Sequence, residues 1–249
     1  MLSKKYEILC VVALLCGSSL MSRELVGQVK YDGPSPPPSK EINMAADPIC
    51  GKAHDDDVYP ETFVLNKDNG GLKNVMVWIK SPKHSAGETV APISLDQHGC
   101  VYTPHVTGIM KGQELHISNS DQTMHNIHSM SEINSTFNFA MPAKSETKIQ
   151  KFTENENVFY IKCDVHPWMK TWVQVLDHPF FAVTNEDGTY SINLDNLDPG
   201  TYELQFWHEK WHKYMKAKGY FSQSIEINSD STNVDGTIYV FKQPGRKKK

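Results

Sequence analysis

Short stretches in which apolar and polar residues alternate recur along the chain and predict strands. LVGQVKY (25–31), NVMVWIK (74–80), ELHISN (114–119), NVFYIKC (157–163), TWVQVLD (171–177), TYSINL (189–194), TYELQFW (201–207), QSIEIN (223–228) and GTIYVFK (236–242) are all rich in β-branched or aromatic residues. Several keep the period of two that turns one face to a core and the other to water. Turn sequences punctuate them: Asp32-Gly33, Asn69-Gly70-Gly71, Asp187-Gly188, Pro199-Gly200 and Asp235-Gly236. No stretch carries a convincing apolar stripe at helical spacing. GPSPPPSK (33–40) is too rich in proline for a central strand and reads as an extended edge or linker. Short strands spaced by such turns predict an all-β protein made of sandwiches, and 249 residues suffice for two of them.

The first 22 residues break this pattern. Lys4 and Lys5 precede an apolar run from Ile8 to Cys16, then Gly17, Ser18 and Ser19. The run is too short to span a bilayer and reads as an export signal. ALLCGSS also resembles a bacterial lipoprotein signal with Cys16 as the lipidated residue, which would be the only membrane attachment. The expected location is periplasmic or extracellular. A formal net charge of −4 argues against a nucleic-acid surface, and the basic run Arg246–Lys249 reads as a disordered tail over 242–249.

Export makes the cysteines informative. Cys10 and Cys16 fall in the signal, leaving Cys50, Cys100 and Cys163. In an oxidising compartment two pair and one is left over. Cys50 (DPICGKAH) and Cys100 (LDQHGCVY) both sit among turn residues. A bridge between them would close a loop of about 50 residues and contribute roughly 4 kcal/mol in the chain-entropy model. The alternative is a zinc-like cluster of Cys50, His54, Cys100 and His105. Under the disulfide reading Cys163 is the odd thiol, and it invites oxidation unless a metal occupies it.

A boundary is predicted near Asp177-His178-Pro179. Beyond it, AVTNEDGTYSINLDNLDPGTYELQFW resembles the carboxypeptidase regulatory-like (transthyretin-like) β-sandwich over about residues 178–241. The resemblance implies a structural or adhesive module. ELVGQVKYDG and GGLKNVMVWIK also look like opening strands of that module. Residues 23–98 therefore belong either to the first domain or to the second, which in the latter case wraps around an inserted one.

The chemistry concentrates in YIKCDVHPWMKTWVQV (160–175), which spaces Cys163, His166 and Met169 three apart. A thiolate, two imidazoles and a weak thioether make the ligand set of a blue-copper centre. The second histidine must come from elsewhere, and NSDQTMHNIHSM (119–130) offers His125. Taken together, Y-T-P, I-x-N-x-D, M-H-N-I-H and C-x-x-H-P-W-M resemble the cupredoxins, in particular the amicyanin type with its short C-x2-H-x2-M loop, over about 99–177. The resemblance implies a Greek-key β-sandwich with one type 1 copper held by His125, Cys163, His166 and Met169. Asn126 would tie the two ligand loops together beside the sulfur. Pro167 would stiffen the loop by fixing its own φ. The implied role is single-electron transfer between redox protein partners, without a catalytic residue. His166 is expected to present its edge to solvent inside an apolar patch with Pro167 and Trp168, where a partner docks. DPICGKAH has no counterpart in the resemblance.

Other histidines and methionines carry weaker expectations. His128 reads as a surface or outer histidine, and Met124 and Met130 as packing residues or a Cu(I)-loading cluster. A copper carrier that binds and releases the ion would use the same ligands. WHEKWHKYM (207–215) contains His208-Glu209-Lys210-Trp211-His212, the H-E-x-x-H pattern of zinc hydrolases. It follows directly on a strand pattern and has no third histidine beyond it, so it reads as an excursion between strands.

Overall fold

Each of the nine segments supplies a strand of the protein, some with a residue or two beyond its ends. The computed structural model describes residues 23–34, 38–84, 90–229 and 233–242. The expected export signal with Cys16, the central prolines of 33–40 and the basic run Arg246–Lys249 lie outside the described residues. Sixteen strands follow in chain order: β1 (Glu24–Asp32), β2 (Met76–Ile79), β3 (Ile93–His98), β4 (Val101–Thr103), β5 (Val106–Met110), β6 (Glu114–Asn119), β7 (His125–Ser129) and β8 (Asn138–Met141); then β9 (Lys148–Lys151), β10 (Glu156–Lys162), β11 (Lys170–Leu176), β12 (Phe181–Val183), β13 (Thr189–Asn193), β14 (Gly200–Trp207), β15 (Phe221–Ile227) and β16 (Asn233–Lys242). One short helix, α1 (His212–Lys218), interrupts the pattern after β14. Among the described residues no helix is long and apolar enough to cross a membrane.

The strands form four sheets. A four-stranded sheet, β4-β3-β6-β9, faces a five-stranded one, β5-β11-β10-β7-β8. Between them lies a core of Leu95, Tyr102, Ile109, Leu115, Ile117, Ile127, Phe152, Phe159, Ile161, Val173 and Val175. Alternation supplies it: in β6, Leu115, Ile117 and Asn119 are buried while the residues between them are half-exposed. A three-stranded sheet, β13-β1-β16, and a four-stranded one, β12-β2-β14-β15, belong with a second core of Leu25, Val29, Leu72, Ile79, Leu194, Leu204, Phe206 and Phe241. β1 and β2 therefore pair with strands that come after residue 180, and the first sandwich sits between them in the chain. Glu24 pairs with Asn193 on one side and Asn233 on the other.

The two sandwiches share buried surface. Every residue of β11 from Thr171 to Leu176 is buried. Val173 and Val175 face the first core, whereas Trp172 and Leu176 join the second, with Val106 and Val158 beside them. A strand covered on both faces loses its alternation and becomes an apolar run, which is why TWVQVL lacks a charged position. Gly108 in β5 makes the close approach possible. A Cβ there would come within 2.5 Å of the Phe181 ring and 2.6 Å of the Met76 methyl, so any larger residue would push β12 and β2 off β5.

Glu156, at the start of β10, locks the β7–β8 connection. Its carboxylate is 5 % exposed and accepts hydrogen bonds from the N–H groups of Glu132, Ile133 and Asn134, the Ser131 hydroxyl and the Asn134 amide. Burial raises its pKa, but these donors outweigh burial and hold it below the usual glutamate value. A carboxylate depressed by folding contributes stability above its unfolded pKa, about 4.3, and loses that contribution as pH falls. Glu156→Gln replaces one of the two acceptor oxygens by an NH2 that faces N–H donors whichever way the amide lies, Glu132 and Ile133 on one side or Asn134 on the other, and should cost about 2 kcal/mol. Urea unfolding at pH 7 and again below pH 4 should show that difference shrinking in acid.

Candidate metal centre

β7 and the β10–β11 loop deliver His125, Cys163 and His166 to one place. β7 alternates, so His125, Ile127 and Ser129 point inward and are buried, while Asn126 and His128 point outward. His125 has no exposed surface, and His128 instead pairs with Asp164 at 2.8 Å. The loop folds back on itself. The N–H of Cys163 donates to the Met169 carbonyl (3.2 Å), that of Met169 to the His166 carbonyl (3.0 Å) and that of His166 to the Cys163 sulfur (3.3 Å). Asn126 Oδ1 accepts from the N–H of Asp164 at 3.2 Å and so joins β7 to the loop. Tyr102 donates its hydroxyl proton to the Asn126 carbonyl.

The ligand-type atoms converge. His125 Nδ1 lies 2.9 Å from His166 Nδ1, and Cys163 Sγ is 3.8 Å from His166 Nδ1. The donor atoms of His125, Cys163 and His166 all fall within 4.8 Å of one another, and all three residues are buried. Met169, 1 % exposed, packs in the same core as Cys163. Pro167 is exposed on the loop.

Each imidazole has a carboxylate on its far nitrogen. His125 Nε2 is 2.8 Å from Asp121 Oδ2, and His166 Nε2 is 3.1 Å from Asp47 Oδ2. A proton held on Nε2 by a carboxylate leaves Nδ1 with a free lone pair, the form a metal needs. Two such lone pairs facing each other at 2.9 Å beside a sulfur need a positive charge between them, so the donor set fits a soft or borderline cation. Electrostatics agree. Burial pushes the Cys163 thiol up, but His125 and the N–H groups of His166, Asn126 and Val165 outweigh it and lower its pKa, favouring thiolate. Burial likewise disfavours charged His125, yet Asp121 and Cys163 lift it to about 9, so without a cation a proton takes the place at Nδ1 and a metal would have to displace it.

Neither carboxylate is visible in the ligand pattern. Asp121 also accepts from the N–H groups of Gly99 (2.7 Å) and Cys100 (2.8 Å), which fixes the β3–β4 turn; both turn residues have positive φ, +62° and +56°. The I-x-N-x-D stretch, four residues before His125, was the signal for it. Asp47 Oδ1 accepts from Ile49 (2.7 Å) and Cys50 (3.2 Å), and its Oδ2 from the Thr123 hydroxyl (2.9 Å). Burial works against its charge, but these donors and His166 bring it down to about 2.

The expectation that His166 shows its edge to solvent is corrected. His166 is 2 % exposed. The segment that had no counterpart, DPICGKAH, lies over it. Asp47 takes its outer nitrogen, and Cys50 Sγ sits 3.7 Å from that same atom. Cys50 is bonded to Cys100, and the Trp168 indole donates to the Cys100 carbonyl at 2.9 Å, so loop and cap share one anchor. The disulfide also removes the zinc-like alternative. His54 bonds the Gly99 carbonyl, and His105 lies 2.7 Å from Glu209.

The H-E-x-x-H residues do not gather. His208 precedes a 3₁₀ turn (Glu209–Trp211) in extended conformation and accepts from the Lys210 N–H, whereas His212 opens α1 and accepts from the Trp207 indole. Among the described residues no group of potential metal ligands includes either.

No family model and no curated protein matches the chain. Solved structures give partial likenesses. A copper-containing nitrite reductase from Thermus scotoductus SA-01 aligns at 19 % identity and a TM-score of 0.31 over 39 % of this chain, which spans only 26 % of that enzyme. A purple cupredoxin from Nitrosopumilus maritimus aligns at 23 % identity and a TM-score of 0.29, over 34 % of this chain and 99 % of its own. A Cu(I) variant of amicyanin aligns at 23 % identity and a TM-score of 0.30, over 40 % of this chain and 98 % of its own.

Proposed function

We propose that this is an exported mononuclear copper protein that passes single electrons between redox partners. The observation that carries this reading is the meeting of His125 Nδ1, His166 Nδ1 and Cys163 Sγ within 4.8 Å in a buried site. In this reading residues 93–176 form a cupredoxin-type sandwich, and the second sandwich is a transthyretin-like scaffold. Copper bound there would supply a one-electron couple. His125, Cys163 and His166 would hold it, with Met169 as a weak fourth donor. Asp121 and Asp47 keep the two imidazoles in the tautomer that presents Nδ1. The folded-back loop keeps Cys163, His166 and Met169 in register, so little need move when the charge changes. The cap and the core exclude water from the sulfur.

The test is the visible spectrum of the Cu(II)-loaded protein beside Cys163→Ser. An intense band in the parent that is absent from the variant supports thiolate ligation, and identical spectra would overturn it. Electrochemistry then separates shuttle from carrier. Reversible cycling with copper retained fits the shuttle, whereas loss of the ion on reduction fits a carrier.

A further inference from the structure

With the His166 edge closed, electrons must enter and leave elsewhere. The cap that closes it is acidic, with Glu41, Asp55, Asp56 and Asp57 exposed beside Asp47 and only Lys52 among them as a permanent cation. A second surface has the opposite sign. An open depression of about 780 Å³ is lined by Tyr160, Lys170, Trp172, Lys210, Lys213 and Lys216. The carboxylate of Glu209 also lines it, and Glu132 lies beside it. Glu209 is nearly buried against His105, 4.0 Å from Lys170, and Glu132 pairs with Lys216 at 2.6 Å. Lys210 and Lys213 make no ion pair among the described residues. In a protein of net charge −4, this is a local positive field.

The depression lies at the end of short bonded paths from the ligand loop. Lys170 directly follows Met169. Tyr160 stands three residues before Cys163 on β10 and pairs with Trp172 across the β10–β11 ladder. Their rings are 5.4 Å apart, and the Lys170 ammonium lies 5.3 Å from one centroid and 5.5 Å from the other. Both strands leaving the loop therefore lead to one aromatic pair beneath a lysine rim. Tunnelling falls steeply with distance, so a short covalent route ending at an accessible surface is what a port requires.

We propose that electrons cross at this lysine-rimmed Tyr160–Trp172 depression, and that the physiological partner is a redox protein presenting an acidic surface. This rests on the copper reading above. Hexacyanoferrate(III) is the probe, taking one electron from the reduced centre to become hexacyanoferrate(II). In stopped flow the rate should fall as ionic strength rises, the sign of attraction to local lysines in spite of the net negative charge. Lys210→Glu together with Lys213→Glu should slow the reaction at least about tenfold at low salt and reverse the salt dependence, with the visible band unchanged. Asp55→Lys together with Asp56→Lys, at the cap, should change the rate far less. A rate that rises with salt in the parent, or that responds to the cap charges and ignores the lysines, overturns the port. Absence of any thiolate–copper band overturns the metal reading itself, a result separate from a wrong salt slope.

Discussion

Replacing Cys50 and Cys100 together with serine should cost about 4 kcal/mol of stability, because the bridge closes a loop of about 50 residues whose freedom in the unfolded chain it removes. The structure adds a local consequence. The bridge pins the cap to the β3–β4 turn, the same turn that Asp121 holds and that receives the Trp168 indole. Without it, the contacts left to press Asp47 onto His166 are the Thr123 hydroxyl, the His54 bond to the Gly99 carbonyl and the cap's few packed side chains, Met44 among them. The metal-free variant should therefore show both a lower urea midpoint and new reactivity of His166 toward diethylpyrocarbonate. In the parent, His166 should be protected. If the variant lost stability with His166 still protected, the cap would be held by its own packing, and the bridge would matter only to the unfolded chain.

Trp172→Ala should cost about 3–5 kcal/mol, the range for emptying a large aromatic site. Trp172 is 4 % exposed and sits where the sandwiches meet, with ring centroids 5.4 Å from Tyr160, 5.1 Å from Trp207 and 4.6 Å from His212. Its loss opens a cavity that two rigid sheets cannot close without moving past each other. The expected signature goes beyond a lower midpoint. The parent should unfold in one step, whereas the variant should separate into two transitions as the sandwiches cease to support each other. A single transition shifted by less than 1 kcal/mol would mean that the junction contributes little and that each sandwich stands alone.

Nine of the strands were legible because each carries its own local pattern; β6 and β14 alternate, and β11 announces itself by an apolar run. Shorter strands such as β4 and β12, three residues each, are too brief to show a period. Period two along β7 puts His125 and His128 on opposite faces, and the family resemblance pointed to His125. Three further features were not legible. α1 is a seven-residue helix with Met215 as its one buried residue, too short to show a periodic stripe. Asp47 carries a local signal, an aspartate that caps a turn through Ile49 and Cys50, but nothing near it in sequence shows that its other oxygen meets an imidazole 119 positions away. The fate of His166 followed from that. HPWM reads as a surface loop by composition, and only the path of a distant segment covers it. Signals of secondary structure are local, whereas tuning of a site by a carboxylate from another part of the chain leaves no periodic trace.

The pairing of β1 bears on how the molecule is made. As the amino-terminal strand emerges it has no partner, because Asn193 and Asn233 are still to be synthesised. Residues 93–176, in contrast, contain every strand of both sheets around the first core. That contiguous unit is expected to collapse early, while β1 waits as an open edge exposed to stray pairing with other chains. A helper that shields this edge until the carboxyl-terminal strands arrive would govern the yield of correctly assembled molecules more than any contact around His125 and Cys163.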